Sequence, residues 1–300
     1  MDRIIYIPVN GIGLGHARRS LRLGEALSRY GKVVFSTYNQ SPAFSYLAKS
    51  KFKVIGLPSL SWAQSPDGGL DNAKTVLVSP YGAGVAISHL LIERYLIRVL
   101  NPTMVISDMR AAPIMIADKY DIPCFMLGLF FDLKREIDNF FVRQPARLLG
   151  GFIRELARRC IKTFITDFPP PYTLYERVMP ERIPSNFVFT GPIIDKKLEA
   201  IIKETDLITA KNQAKKKLGI SEKKVVLFLP SGVKRSRMFF INSVLRIIKH
   251  LRKNESIRFI ISLGLIERRS RVFKIDNIEI WNWIPNLTDY LLSADLVVGY

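Results

Sequence analysis

The chain has 300 residues, enough for two domains at about 150 residues each, and its usage (48% hydrophobic, 24% charged) excludes a disordered or collagen-like polypeptide. It carries 45 Lys+Arg against 26 Asp+Glu, a net charge of +19 whose field attracts polyanions: nucleic acid, anionic lipid headgroups or phosphorylated substrates. Two cysteines, Cys124 and Cys160, are too few for a disulfide framework. No Cys/His spacing suits zinc, no apolar run approaches the ~20 residues of a bilayer span, and the opening MDRIIYIPVNG lacks the pattern of a signal peptide, which together predict a cytoplasmic protein.

In chain order, Arg3–Val9 reads as a strand and Ala17–Arg29 as a helix, with Ala17, Leu21 and Leu27 at helical spacing. Lys32–Ser36 is the next strand, Ser41–Lys49 a helix and Phe52–Leu57 a strand. After a Gly/Pro/Ser-rich loop at Ser59–Asp71, a helix is predicted over Ile87–Leu100, a strand over Met104–Ser107 and a helix over Ala111–Tyr120. Cys124–Gly128 and Lys162–Thr166 are further strands. Short connections between alternating strands and helices imply right-handed crossovers and a parallel sheet. Asp167-Phe-Pro-Pro-Pro171 and Thr190-Gly-Pro192 break the pattern, and the domain boundary is placed there, giving domains at 1–190 and 191–300. A second alternation follows: helix Ala210–Leu218, strand Val225–Leu229, helix Phe239–Lys253, strands Arg258–Ser262 and Ile278–Ile280, helix Leu287–Ser293 and strand Leu296–Val298.

Between the first strand and helix lies Asn10-Gly-Ile-Gly-Leu-Gly-His16, with Gly11, Gly13 and Gly15 in the turn. Such a turn presents unpaired N–H groups at a helix N-terminus to an anion. It is not a dinucleotide fingerprint: the third glycine of G-x-G-x-x-G is replaced by His16, and the second strand, Val33-Val-Phe-Ser-Thr37, ends without an acid. A P-loop is excluded because no Gly-Lys-Ser/Thr occurs.

The loop with the Ala-Arg-Arg-Ser that follows it resembles the first loop of GT-B glycosyltransferases of family 28, the group containing MurG, and within it the archaeal MurG-like branch. Ser107-Asp108-Met-Arg110, Asp121-Ile-Pro123, KTFITDFPPPY at Lys162–Tyr172, Phe189-Thr-Gly-Pro-Ile193, Trp283-Ile-Pro-Asn-Leu287 and Leu292-Ser-Ala-Asp295 are similar to segments of that family. The resemblance implies an α/β, GT-B fold: two Rossmann-like parallel-sheet domains facing a cleft, an N-terminal acceptor-binding domain and a C-terminal nucleotide-sugar-binding one. In that family a Gly-rich loop and a ribose-binding Glu follow the Ala-Asp-Leu-Val-Val strand; here Tyr300 comes first, so the second domain is expected to be incomplete and a complementing C-terminal fragment is an expected partner.

Within that frame, His16 suits a general base, because transfer needs a sugar hydroxyl deprotonated as it attacks the donor. Asp108, ending a strand on the same carboxyl edge, either orients His16, contacts an acceptor sugar or caps the helix after it. Gly11, Gly13, Gly15 and Arg18 are the expected acceptor or phosphate contacts; Arg19 can bind acceptor phosphate too, and at least one of the two arginines is expected to be solvated helix surface. Ser231, Gly232 and Arg235 follow a strand in the second domain and can meet a donor diphosphate, while Trp283 and Ile284 lie where family members hold the nucleotide base. No Asp-x-Asp pair occurs, so no metal is expected; no cofactor is expected either. RLLGGFIRELARRCIK at Arg147–Lys162 places Leu149, Phe152, Ile153, Leu156 and Cys160 on one helical face with arginines elsewhere, either a core-packing helix or a contact for anionic membrane.

The expected function is an inverting, metal-independent transfer of a sugar such as N-acetylglucosamine from a UDP-sugar to a lipid-linked or other glycan acceptor at the cytoplasmic face of a membrane. The rivals are a UDP-sugar 2-epimerase of the same fold, and an inactive or split fragment acting as a basic binding module. Nucleic acid is disfavoured: no motif for it appears, and aromatics are not interleaved with the basic run at Lys211–Lys217.

Overall fold

The computed structural model describes residues 3–59, 79–128, 140–176, 179–222, 224–230, 234–251, 254–265 and 269–299. These divide into two compact units, one ending at Ile193 and the next starting at Ile194.

The first unit is a seven-stranded sheet, all parallel. Its strands are β1 (Ile4–Pro8), β2 (Lys32–Tyr38), β3 (Lys53–Leu57), β4 (Met104–Asp108), β5 (Cys124–Gly128), β6 (Lys162–Ile165) and β7 (Phe187–Phe189), in the order β3-β2-β1-β4-β5-β6-β7. The order reverses between β1 and β4, where Ile5 lies between Val33 and Met104. Open parallel sheets bind ligands beyond the carboxyl ends of the strands at such a switch point. Helices α1 (Leu14–Leu27), α2 (Pro42–Leu47), α3 (Ser79–Leu100), α4 (Ala111–Lys119) and α5 (Phe140–Arg159) follow their strands. The two faces of the sheet carry separate cores. Ile5, Ile7, Phe35 and Ile106 pack with Ala17 of α1 and Leu47 of α2. Their strand neighbours Tyr6, Val34 and Val105 turn to the opposite face and pack with Ile97, Ile114 and Leu156 from α3, α4 and α5, as the two-residue alternation of a strand requires.

The second unit has a five-stranded sheet in the order β10-β11-β9-β8-β12: β8 (Lys224–Leu229), β9 (Ile257–Ser262), β10 (Val272–Ile275), β11 (Ile278–Trp281) and β12 (Leu296–Gly299). Helices α6 (Lys196–Glu204), α7 (Leu207–Leu218), α8 (Lys234–Ile248) and α9 (Leu287–Ser293) accompany it. Two elements lie outside the expected pattern. Helix α6 has no fully buried residue and only half-buries Leu198 and Ile201; Asp195 caps it by accepting from the Lys197 N–H. Strand β10 is fully exposed and antiparallel, hairpinned onto β11 through Asp276 at φ 48°. Part of the basic run is internally paired: Lys211 and Lys215 reach Asp295 at 2.7 and 3.5 Å, and Lys217 reaches Asp289 at 2.6 Å.

Helix α5 divides its apolar stripe. Leu156 and Cys160, just past its end, are buried in the core, whereas Leu149 and Phe152 stay exposed beside Leu148.

Gly24 of α1 faces β2 so closely that a Cβ there would lie 2.5 Å from Phe35 Cζ and 3.3 Å from Val33 Cγ1. Alanine gains about 1 kcal/mol of helix propensity over glycine, but overpacking a filled core costs about 1–3 kcal/mol. Gly24→Ala is therefore expected to destabilise the protein in urea titration; a stabilised variant would show that α1 can lift from the sheet at little cost.

Candidate active site

The loop leading into α1 runs along the carboxyl ends of β1 and β4. Val9 continues β1 by bridging to Asp108, and the Asn10 N–H donates to the Asp108 carbonyl at 3.1 Å. Asn10 Oδ1 then accepts the Ile12 N–H at 3.0 Å. Gly13 caps the helix at φ 79°, ψ 176°, a conformation that costs an L side chain heavily, and it has no side chain to satisfy the first N–H groups of α1. Gly11 is buried against the Tyr38 ring, and Gly15 stands exposed in the first turn with open space at its Cβ position.

Asp108 is the centre of the site. It is fully buried and accepts four side-chain hydrogen bonds. His16 Nδ1 lies 2.7 Å from Oδ1. Arg19 grips both oxygens, Nε donating to Oδ2 at 2.8 Å and Nη2 to Oδ1. Ser20 Oγ donates to Oδ2 at 2.8 Å. Arg19 Nη1 also donates to Thr166 Oγ1 at 3.3 Å, tying α1 to the residue beyond β6. Nδ1 also lies 3.0 Å from Arg19 Nη2, which can only donate; the ionised carboxylate is the shorter contact at 2.7 Å and favours the proton on Nδ1, with Nε2 as the lone-pair nitrogen. Among the described residues Nε2 has no hydrogen-bond partner, and the side chain is 18% exposed. The geometry is that of an oriented base: an imidazole held through one nitrogen by a buried carboxylate, with the other open.

Burial alone would raise the Asp108 pKa, but its electrostatic and hydrogen-bonding interactions with His16 and Arg19 outweigh burial and hold it well below the usual carboxylate range.

Of the three roles open to Asp108, the one its contacts display is the hydrogen bond to His16. Asp108 does not cap α4: the N-cap is Arg110, which makes no side-chain cap bond. Among the arginines, the side chain that joins the site is that of Arg19, and Arg18 is exposed. Helical spacing explains this, since His16, Arg19 and Ser20 stand at i, i+3 and i+4 on one face while Arg18 turns away. That spacing was the available signal for Ser20 and for Arg19's place beside Asp108 instead of on a phosphate; nothing in the sequence marked Thr166.

In the second unit, Ser231 and Gly232 lie outside the described residues. Arg235 is exposed in the first turn of α8. The Trp283 N–H donates to Asn282 Oδ1 at 2.7 Å, and Ile284 is buried with Val225, Leu227 and Tyr290. Among the described residues no group of three or more His, Cys, Asp or Glu is placed to hold a metal ion, and no helix is long and apolar enough to cross a membrane.

The sequence profile of glycosyl transferase family 1 matches residues 2–178, which include the loop, α1 and Asp108. The chain belongs to this family. An uncharacterized glycosyltransferase of Methanosarcina mazei is 26% identical to it over 206 residues, covering 66% of this chain and 52% of the relative. The chain thus spans about half the length of the curated relatives it matches. Solved structures share the GT-B fold. The spinosyn rhamnosyltransferase SpnG superimposes with a TM-score of 0.58 at 14% identity, over 99% of this chain and 75% of that one. MurG of Acinetobacter baumannii gives 0.52 at 10% identity, over 100% and 73%. The UDP-GlcNAc 2-epimerase of Neisseria meningitidis, bound to UDP-GlcNAc, gives 0.51 at 14%, over 100% and 77%. At these identities the likeness is one of fold. The matched profile is that of family 1; the expected kinship with family 28 rests on motifs and on the fold of MurG.

The depressed Asp108 pKa links the site to stability. A carboxyl held lower in the folded than in the unfolded chain contributes stability that is complete above its unfolded pKa of about 4 and is lost as pH falls through the folded value. Asp108→Asn leaves Arg19 buried against a neutral amide, at a cost of about 3–5 kcal/mol at pH 7. The gap between wild type and Asp108→Asn in urea titrations is expected to narrow from pH 5 downward; a gap independent of pH would show that the carboxylate charge is not what the site uses.

Proposed function

We propose that this chain catalyses, or carries the acceptor half of, glycosyl transfer with His16 as the general base. The observation that carries the proposal is the His16–Asp108 hydrogen bond, which leaves Nε2 free to take a proton. In the step proposed, an acceptor hydroxyl attacks the anomeric carbon of a nucleotide sugar from the face opposite the phosphate. Its proton passes to Nε2, the bond from the anomeric carbon to the phosphate oxygen breaks, and the nucleoside diphosphate leaves, with inversion at carbon. Family membership and the naming of the archaeal relatives as glycosyltransferases support the reaction class.

The finer reading is a MurG-like transferase that takes a UDP-sugar, N-acetylglucosamine among the candidates, and an acceptor bearing a pyrophosphate. Two features support it. The open N–H groups at the start of α1, with exposed Arg18 just after its first turn, suit an acceptor phosphate. Ser231, Gly232, Arg235 and the main chain at Trp283–Ile284 are the proposed donor contacts. Positive groups and helix dipoles, with no metal, would balance the leaving diphosphate. The exposed Leu148, Leu149 and Phe152, with Arg147 and Arg158 on the same helix, fit peripheral contact with an anionic membrane.

The test is to incubate the chain with UDP-N-acetylglucosamine and a short-chain polyprenyl-pyrophosphate saccharide, following UDP release and product mass. His16→Ala is expected to reduce turnover about 10²–10⁴-fold with the acceptor KM little changed. Turnover near wild type would remove His16 as the base, and conversion of the UDP-sugar to its C2 epimer without acceptor would replace transfer by epimerisation.

Membrane contact is separable. Flotation with vesicles containing anionic phospholipid is expected to carry the protein upward, neutral vesicles to leave it behind, and Phe152→Ser to weaken the effect; equal flotation on both would refute a charge-dependent contact.

A further inference from the structure

Directly behind Asp108, on the opposite face of the sheet, lies a second buried polar cluster that the proposed reaction does not use. Arg110 donates through Nη2 to Glu93 Oε1 at 2.6 Å and through Nη1 to Ser36 Oγ at 2.9 Å. The Tyr6 hydroxyl donates to Glu93 Oε2 at 2.8 Å, and its oxygen lies 2.6 Å from Ser36 Oγ. Because the single Tyr6 proton goes to Glu93, Ser36 donates to Tyr6. The bonds therefore close a ring, from Arg110 to Ser36, to Tyr6, to Glu93 and back to Arg110, drawn from β1, β2, α3 and the residue before α4. All four side chains are buried, with Glu93 and Arg110 at 0% and 4% exposure.

Strand alternation makes the ring unexpected. Asp108 follows Ile106 onto the α1 face, and two residues further Arg110 belongs on that face as well. It is on the other because Met109, between them, adopts φ 53°, a left-handed conformation uncommon outside glycine. Ser107 closes this corner from inside: its Oγ donates to the Arg110 carbonyl at 2.7 Å and accepts the Arg110 N–H at 3.2 Å. The Met109 N–H is held by the Leu127 carbonyl of β5 at 3.2 Å. A strained main-chain corner persists only where its surroundings over-determine it. Here the ring grips the corner on one face, and His16, Arg19 and Ser20 grip it through Asp108 on the other.

We propose that Glu93 and Arg110 are positioning residues for His16: by anchoring the left-handed corner at Met109, they hold Asp108 where it orients the imidazole. The proposal rests on the reading of His16 as the base, but its primary readout does not.

Long-range ¹H–¹⁵N spectra of the imidazoles of the full chain, with His16 assigned by His16→Asn, report which ring nitrogen carries the proton. Wild type is expected to show His16 as the Nδ1–H form. Glu93→Leu combined with Arg110→Met removes both charges together, so no buried ion is left unpaired. In that variant His16 is expected to become a mixture of both tautomers, and turnover to fall about tenfold or more with KM unchanged. Arg110→Lys keeps the ion pair but loses the fork that reaches Ser36, and should give an intermediate mixture; it decides the matter if the double variant does not fold. Leu156→Ala, a cavity in the core of the same face, should lower stability and leave the His16 spectrum as in wild type. An Nδ1–H His16 unchanged in the folded Glu93 and Arg110 variants overturns the positioning role, as does a Leu156→Ala spectrum that shifts equally. A wild type with the Nδ1–H signature but no transfer overturns the proposed reaction and leaves the positioning role standing.

Discussion

A carboxylate with no access to water has to be matched by charge and hydrogen bonds within the protein, and that demand at Asp108 organises the first unit. An unmatched buried charge costs several kcal/mol, a large share of the total stability of a domain. Asp108 meets the demand with three side chains of one helix, His16, Arg19 and Ser20. Its carbonyl meanwhile takes the Asn10 N–H at the entry to the glycine loop. One residue thereby fixes both the path of the loop and the rotation of α1 about its axis. The glycines permit that path; Asp108 selects it.

The same balance decides what His16 can do. Were His16 the sole partner of Asp108, the neutral imidazole would leave the carboxylate uncompensated, and the pair would favour holding the proton. Arg19 supplies a permanent countercharge, bound through two nitrogens in the planar fork that suits a carboxylate. Asp108 then stays ionised whichever state His16 adopts. It orients the ring through Nδ1 without the proton balance of the site resting on that one bond. The base role proposed for His16, taking and releasing a proton in each cycle, would benefit from that separation.

The first sheet was legible because its strands are short apolar runs between helices of 3.6-residue period, and parallel pairing follows from that alternation. Strand β10 escaped because it buries no side chain, and α6 because its short Leu198/Ile201 stripe is only half-buried and sits among charged residues. The site was half legible. Its loop and strand-end acid stand out as residue types in place, and Arg19 was within reach of simple helical spacing from His16. The Tyr6–Ser36–Glu93–Arg110 ring was out of reach, because strand parity puts Arg110 on the wrong face and only the left-handed Met109 moves it. Nothing about methionine advertises φ > 0, so a corner enforced by its surroundings leaves no local trace.

The second unit shows how far a net charge can be read as a free surface. Lys211, Lys215 and Lys224 all converge on Asp295, which also accepts the Val225 N–H at 2.8 Å; burial opposes ionisation there, and the lysines and the N–H together lower its pKa to about 2. Lys197 and Lys217 converge on Asp289. Lys197, Lys217 and Lys224 are exposed, so their pairs add little to stability. Their effect on the field is a different matter, because pairing does not remove an excess. Three lysines on one carboxylate still sum to a positive patch, now anchored at the junction of α7, β8 and β12 instead of waving on free stems. The attraction for anions that the composition implies therefore survives the ion pairs, held at fixed positions on a Rossmann-like unit.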